Sequence, residues 1–243
     1  MRCRRGTTVR PEQELMTKVK LSPFVILLII SAVNTALVPA VAAAYGYNAQ
    51  VLVYSAGAFV FQVVLTGLLW MYMARNPAGA TLIGGYIRAG LLIGLLWVVE
   101  IGINSIITPP LPARDIIDNV FWAAVAVATL SCAAVFAYRA RRFRAGVLAG
   151  AWSGLASGAV ACCTALWFIV IAMGLIVRDP LNVAEWAARG PTSGAPGIAA
   201  YFAYETFLGA FMHLTVLGIG MGTVLGVIGG LIGRMVATKM TRR

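Results

Sequence analysis

Glu100 stands inside the apolar run from Ile83 to Thr108, about twelve residues past Arg88, which is roughly 18 Å along a helix rising about 1.5 Å per residue. That places it near the middle of a spanning helix. A charged group there costs at least roughly a few kcal/mol, so such a residue faces a partner, a cavity or water. Asn104 follows one helical turn later, on the same face. Asn34 and Gln62 fall at comparable depths in two earlier apolar runs. With Glu100 they form a candidate polar pocket. Two roles are open to Glu100: an acid that exchanges a proton along a transport path, or a protonated, hydrogen-bonded lock between helices.

His213 is the only histidine in the chain, and Glu205 precedes it by two turns. Carboxylates and imidazole both exchange protons, so a Glu205–His213–Glu100 relay is conceivable; the plainer role for His213 is one hydrogen bond within the packing. The depth of His213 depends on which end of its long apolar run is used as the origin. A single histidine cannot supply both axial ligands of a haem.

Other chemistries find no motif. There is no phosphate loop, dinucleotide fingerprint or paired-histidine zinc motif. Gly150-Ala151-Trp152-Ser153-Gly154 and Gly154-Leu155-Ala156-Ser157-Gly158 each hold one residue too many for the Gly-x-Ser-Gly motif of rhomboid-type intramembrane proteases. The cysteines Cys3, Cys132, Cys162 and Cys163 lack metal-finger spacing, and those within apolar runs suit small apolar filling. No catalytic residue, metal or other cofactor is indicated.

The elements that must position these residues follow from composition. Of 243 residues 60% are hydrophobic and 11% charged, against about 45–50% and about 25% in soluble domains. A spanning helix needs about 20 mostly apolar residues. Six stretches qualify, at about 21–45, 50–73, 83–108, 116–138, 144–177 and 199–236. They are apolar on every side, unlike the alternating strands of a barrel. The fold class expected is therefore all-α and polytopic, with six transmembrane helices that could pair as three hairpins. A basic arm (1–20) precedes the membrane domain (21–236), and a basic tail (237–243) follows it.

The charges agree with six passes. Sixteen of the 19 Lys and Arg residues precede span one, follow span six, or lie between spans two and three or four and five. Only Arg114, Arg178 and Arg189 lie on the other side, beside Asp115, Asp118, Asp179 and Glu185. The positive-inside rule then puts both termini in the cytoplasm, in a bacterial-type inner membrane. The net charge of +11 sits in short clusters between spans, which suits anionic lipid headgroups; nucleic acid is not expected as a partner. Asp115 and Asp118 read as first-turn residues of span four, favouring its dipole. Asp179-Pro180 reads as a cap opening a short helix to about Arg189, and the stretch from Gly190 to Gly197 as a loop.

Two spans are too long for a hydrocarbon core of about 30 Å, so tilt, a kink or projecting ends are expected in 144–177 and 199–236. Lys18, Lys20 and Val41-Ala42-Ala43 resemble a cleavable secretory signal, but the apolar run between them exceeds the usual length of about 7–15 residues and favours a retained anchor. Met16 is an alternative start. Arg88-Ala89-Gly90-Leu91-Leu92-Ile93-Gly94 echoes Arg144-Ala145-Gly146-Val147-Leu148-Ala149-Gly150, as a duplicated hairpin or as chance in a Gly- and Ala-rich chain.

Glycines repeat every fourth residue at Gly146, Gly150, Gly154 and Gly158, and again at Gly218, Gly222, Gly226 and Gly230. Each ladder makes one smooth helix face for close backbone approach, to the other ladder or to a second copy or partner subunit. The leading functional expectation is a small-solute or ion transporter or channel-like protein centred on Glu100. The alternatives are a non-catalytic accessory or scaffold subunit of a membrane complex, and an intramembrane enzyme acting on lipid.

Overall fold

The computed structural model describes residues 22–45 and 49–240. Cys3, Met16, the basic arm and the last two arginines lie outside them. The described residues contain helices and no strand. Six helical segments are long and apolar enough to cross a membrane, so the chain is an all-α polytopic membrane protein.

The elements are α1 (Pro23–Tyr45), α2 (Ala49–Arg75), α3 (Pro77–Gly102), α4 (Ala113–Ala140), α5 (Phe143–Ile176), α6 (Pro180–Ser193), α7 (Ile198–Met212) and α8 (Gly222–Met240). Two π-helical segments continue α-helices: π1 (Ile103–Ile107) extends α3, and π2 (His213–Met221) joins α7 to α8. The six passes are α1, α2, α3 with π1, α4, α5, and α7 with π2 and α8. One end of the bundle gathers Arg75, Arg139, Arg141, Arg142, Arg144 and Arg234, and is called the basic face. The other holds the 108–112 turn and α6.

Local chemistry sets the boundaries. Asn76 caps α3 by accepting from the Gly79 N–H at 2.9 Å, with Pro77 in the first turn, where its missing N–H costs nothing. Thr108 ends π1 in a left-handed conformation (φ 48°) before Pro109. Asp179 caps α6 through the Leu181 N–H at 3.1 Å, ahead of Pro180. The 190–197 stretch departs from its expected loop. Helix α6 continues through Pro191 to Ser193, where Thr192 and Ser193 hydroxyls bond the carbonyls of Arg189 and Gly190, and Gly194 (φ 73°) ends it. The long sixth pass is not split at Gly218–Gly220; a π segment absorbs the irregularity there without breaking the helix.

Helix α5 is the hub. Half of its apolar window is buried, against 17% for Val53–Arg75 in α2. Small residues let its neighbours close in. A Cβ at Gly90 of α3 would lie 2.7 Å from the Ser153 Cα and 2.8 Å from the Ala156 Cβ, and one at Gly94 would lie 2.8 Å from Val160. On the opposite side the two glycine ladders meet each other within one chain. Gly146 faces Gly230, Gly150 faces Gly222 and Gly226, Gly154 faces Gly218 and Gly222, and Gly158 faces Gly218 and the His213 carbonyl. Helix α8 then lays Gly229 and Gly233 against α4, at Leu130, Ala133, Ala134 and Ala137. In lipid there is little hydrophobic drive between helices, so dispersion across these close approaches holds the bundle.

Polar side chains add directional ties. The Arg114 guanidinium meets the buried Asp179 carboxylate at 2.7 Å, pinning the start of α4 to the cap of α6. Tyr45 donates its hydroxyl to the Ile169 carbonyl at 3.0 Å, and Ser31 pairs with Thr66 at 2.8 Å.

Candidate functional site

Where α3 runs into π1, Glu100 is buried and Asn104 half-buried. The Asn104 amide nitrogen donates to Glu100 Oε1 at 2.9 Å and to Asp118 Oδ1 at 2.7 Å. One NH2 group therefore bridges two carboxyls, one on α3 and one on α4. The Asp118 carboxyl also acts on Glu100 through its charge. Glu100 Oε2 and Asn104 Oδ1 are buried with no partner. No Lys or Arg forms an ion pair with either acid among the described residues. Two uncompensated carboxylates this close in an apolar span repel each other.

On its position in the sequence, Asp118 favours only the dipole of span four. The structure gives it a second role. Helix α4 begins at Ala113, earlier than expected, which puts Asp118 in the second turn and turned to Asn104. Asp115 keeps the first-turn role and is exposed. Glu100 itself lies nearer to Ile107 than to Ile83 within its span, so the pair sits toward the end opposite the basic face.

His213 forms the adjoining layer. Its ring lies 4.8 Å from that of Trp97 and 6.3 Å from that of Trp122, and the two indoles are 5.8 Å apart. Trp97 is one turn before Glu100 and Trp122 one turn after Asp118, so on these antiparallel helices the aromatic layer lies one turn toward the basic face. His213 Nδ1 is 2.7 Å from the Gly209 carbonyl. A carbonyl only accepts, so Nδ1 carries the hydrogen, and in the neutral ring Nε2 keeps its lone pair. That atom is buried and has no partner. His213 also opens π2, the kind of helical irregularity that recurs at functional sites.

The other expected members lie elsewhere. Asn34 donates to the Ala159 carbonyl at 3.1 Å, and Gln62 to the Cys162 sulfur at 3.8 Å. Both are fully buried against α5 and tie α1 and α2 to it; neither hydrogen-bonds to Glu100. Glu205 is exposed, in the electrostatic neighbourhood of Glu185, Arg189 and Tyr201 near α6. No hydrogen bond joins it to His213, whose Nδ1 is held by Gly209 and whose Nε2 has no partner. Among the described residues no group of three His, Cys, Asp or Glu side chains forms a metal-binding cluster.

The fold and site define the chain as a polytopic α-helical membrane protein in which one asparagine amide bridges a buried glutamate and a half-buried aspartate on two of its spans. Comparison with protein-family models, with curated proteins and with solved structures finds no match.

Proposed function

We propose that the protein is a proton-coupled membrane transporter whose exchangeable proton resides on the Glu100–Asp118 pair. The observation that supports this reading above others is the double hydrogen bond from Asn104, which holds two carboxyls together in an apolar span with no cation beside them. A structural lock needs one carboxyl and one donor; a second acid adds repulsion, which has use where a proton must come and go. Asp118 and Asn104 are half-buried and face the end away from the basic face, the side of proton entry. His213, whose Nε2 is buried without a partner, lies in the adjoining aromatic layer with Trp97 and Trp122. The relay is thus Asp118 and Glu100 to His213, with Glu205 outside it.

The positive-inside rule makes the basic face cytoplasmic. Reporter fusions after Ala78, Arg142 and Arg243 are expected to report the cytoplasm, and fusions after Tyr47, Pro112 and Gly190 the exterior. An exterior C-terminus would overturn the orientation. For coupling, the purified protein in liposomes containing a pH-sensitive dye should dissipate an imposed pH gradient faster than empty liposomes, either alone or with the transported solute present. A screen of small solutes in which none changes proton flux, with no leak above empty liposomes, would remove the support for transport.

The second reading is an accessory subunit. It draws on the lipid-facing side of α2, where Val60, Val64, Leu68, Trp70 and Met71 are all exposed. In that case a partner subunit should co-purify and the Glu100–Asp118 pair should be silent in every flux assay.

A further inference from the structure

At the basic face, α2 and α5 part to leave a groove of about 550 Å³, lined by Leu65, Leu68, Tyr72, Arg75, Trp152 and Leu155 among others. Its floor is rigid. The rings of Tyr72 and Trp152 lie 5.9 Å apart, and Phe24 of α1 stacks on Tyr72 at 5.9 Å and leans on Trp152 at 6.0 Å. Its mouth is cationic. Arg75 is exposed in the last turn of α2 and forms no ion pair among the described residues. Immediately beyond it begins α3, a helix of 26 residues whose N-terminus carries positive partial charge. The described acids, Glu100, Asp115, Asp118, Asp179, Glu185 and Glu205, all belong to the other half of the molecule, so among the described residues no carboxylate competes for Arg75.

We infer that this groove binds one anionic phospholipid, with its phosphate on Arg75 and an acyl chain along Leu65, Leu68 and Trp152. The occupant follows from the asymmetry of the site. The charged end lies where α2 leaves the membrane, the apolar path runs from there toward the bilayer centre, and exposed Leu68 and Met71 leave the groove open sideways to lipid. A basic mouth between spans on the positive side is the arrangement that selects acidic headgroups. The inference rests on the orientation above and not on proton coupling. Arg75 has no part in the Glu100–Asp118 pair, so the failure of one proposal leaves the other standing.

Trp152 supplies the test. A variant of the full chain with Trp152 as its only tryptophan is placed in vesicles containing chain-brominated phosphatidylglycerol or chain-brominated phosphatidylcholine, and quenching is followed against mole fraction. The acidic lipid is expected to quench Trp152 at about one-fifth the mole fraction of the zwitterionic one, the advantage typical of one basic residue near the surface. Arg75→Gln should abolish the preference, Arg139→Gln should leave it, and Leu155→Phe should weaken quenching by both lipids. Should the single-tryptophan variant not fold, retention of phosphatidylglycerol on the purified wild type and on Arg75→Gln, read by native mass spectrometry, answers the same question. Equal quenching by the two lipids, or a preference that survives Arg75→Gln, would mean ordinary boundary lipid and overturn the site. So would quenching that appears only after removal of residues 1–20 or on dissociation of an oligomer, since the occupant would then be protein.

Discussion

Gly154→Ile is expected to abolish assembly of the bundle. A Cβ at Gly154 would run into the Gly218 carbonyl oxygen and lie 2.8 Å from the Gly222 Cα. Both neighbours are backbone, so no side chain can swing aside. Overpacking a core by added methylenes costs about 1–3 kcal/mol when side chains can adjust; here α8 would have to move bodily away from α5, taking Gly229 and Gly233 from α4 with it. Gly222→Ile should behave alike, because a Cβ there meets the Gly150 carbonyl and the Gly154 Cα, each at 2.8 Å. Gly174→Ile is the control: it lies on the same helix as Gly154, is exposed, and a Cβ added there would find nothing within 4 Å. Size-exclusion profiles and thermal unfolding in detergent separate the cases. The first two variants should aggregate or melt far below wild type, with Gly174→Ile unchanged. If all three behave as wild type, the ladders do not hold α5 and α8 together.

Much of the architecture is legible in the sequence because its causes are local. Apolar run length gives six passes, Asp179-Pro180 gives a cap and a helix start, and glycine at every fourth residue gives a flat face. What a flat face meets is a tertiary matter. Spacing alone leaves the ladders free to pair with each other or with another copy, and only the structure sets Gly150 against Gly226 and Gly154 against Gly222.

The site is half legible. Glu100 and Asn104 stand out as polar residues one turn apart in an apolar run. Asp118 does not, because it stands near the start of a span, where an acid has an ordinary explanation. A signal is nonetheless present. Trp97 precedes Glu100 by one turn, Trp122 follows Asp118 by one turn, and a proline-rich turn folds the two helices back on each other, so the acids and the indoles form two matching layers. Depth alone groups Asn34 and Gln62 with Glu100, and depth says nothing about azimuth: both turn to α5. The depth of His213 is ambiguous in the sequence because its pass is 43 residues long, and counting from either end of such a helix gives different answers.

Neutralising one member of the acid pair distinguishes a working proton site from a lock. Glu100→Gln keeps the side-chain size and can still accept from Asn104, but cannot ionise. It also removes the repulsion with Asp118, so the variant should fold as well as wild type, within about 1 kcal/mol. Proton-coupled flux in liposomes should nevertheless fall by about a hundredfold or more, the scale on which a positioned acid–base group contributes. Asp118→Asn should reduce flux in the same direction and also leave folding intact. The double variant should be no worse than the more severe single one, because both changes remove the same proton. Glu100→Leu should instead destabilise by about 1–3 kcal/mol, since the Asn104 amide loses one of its two acceptors in a buried setting. On the structural alternative the pattern inverts: Gln and Asn are silent in flux, and only Leu is felt, as a lower melting temperature. A Glu100→Gln variant that transports at the wild-type rate would remove the pair from the mechanism, whatever its stability, and leave the acids as a hydrogen-bonded clasp between α3 and α4.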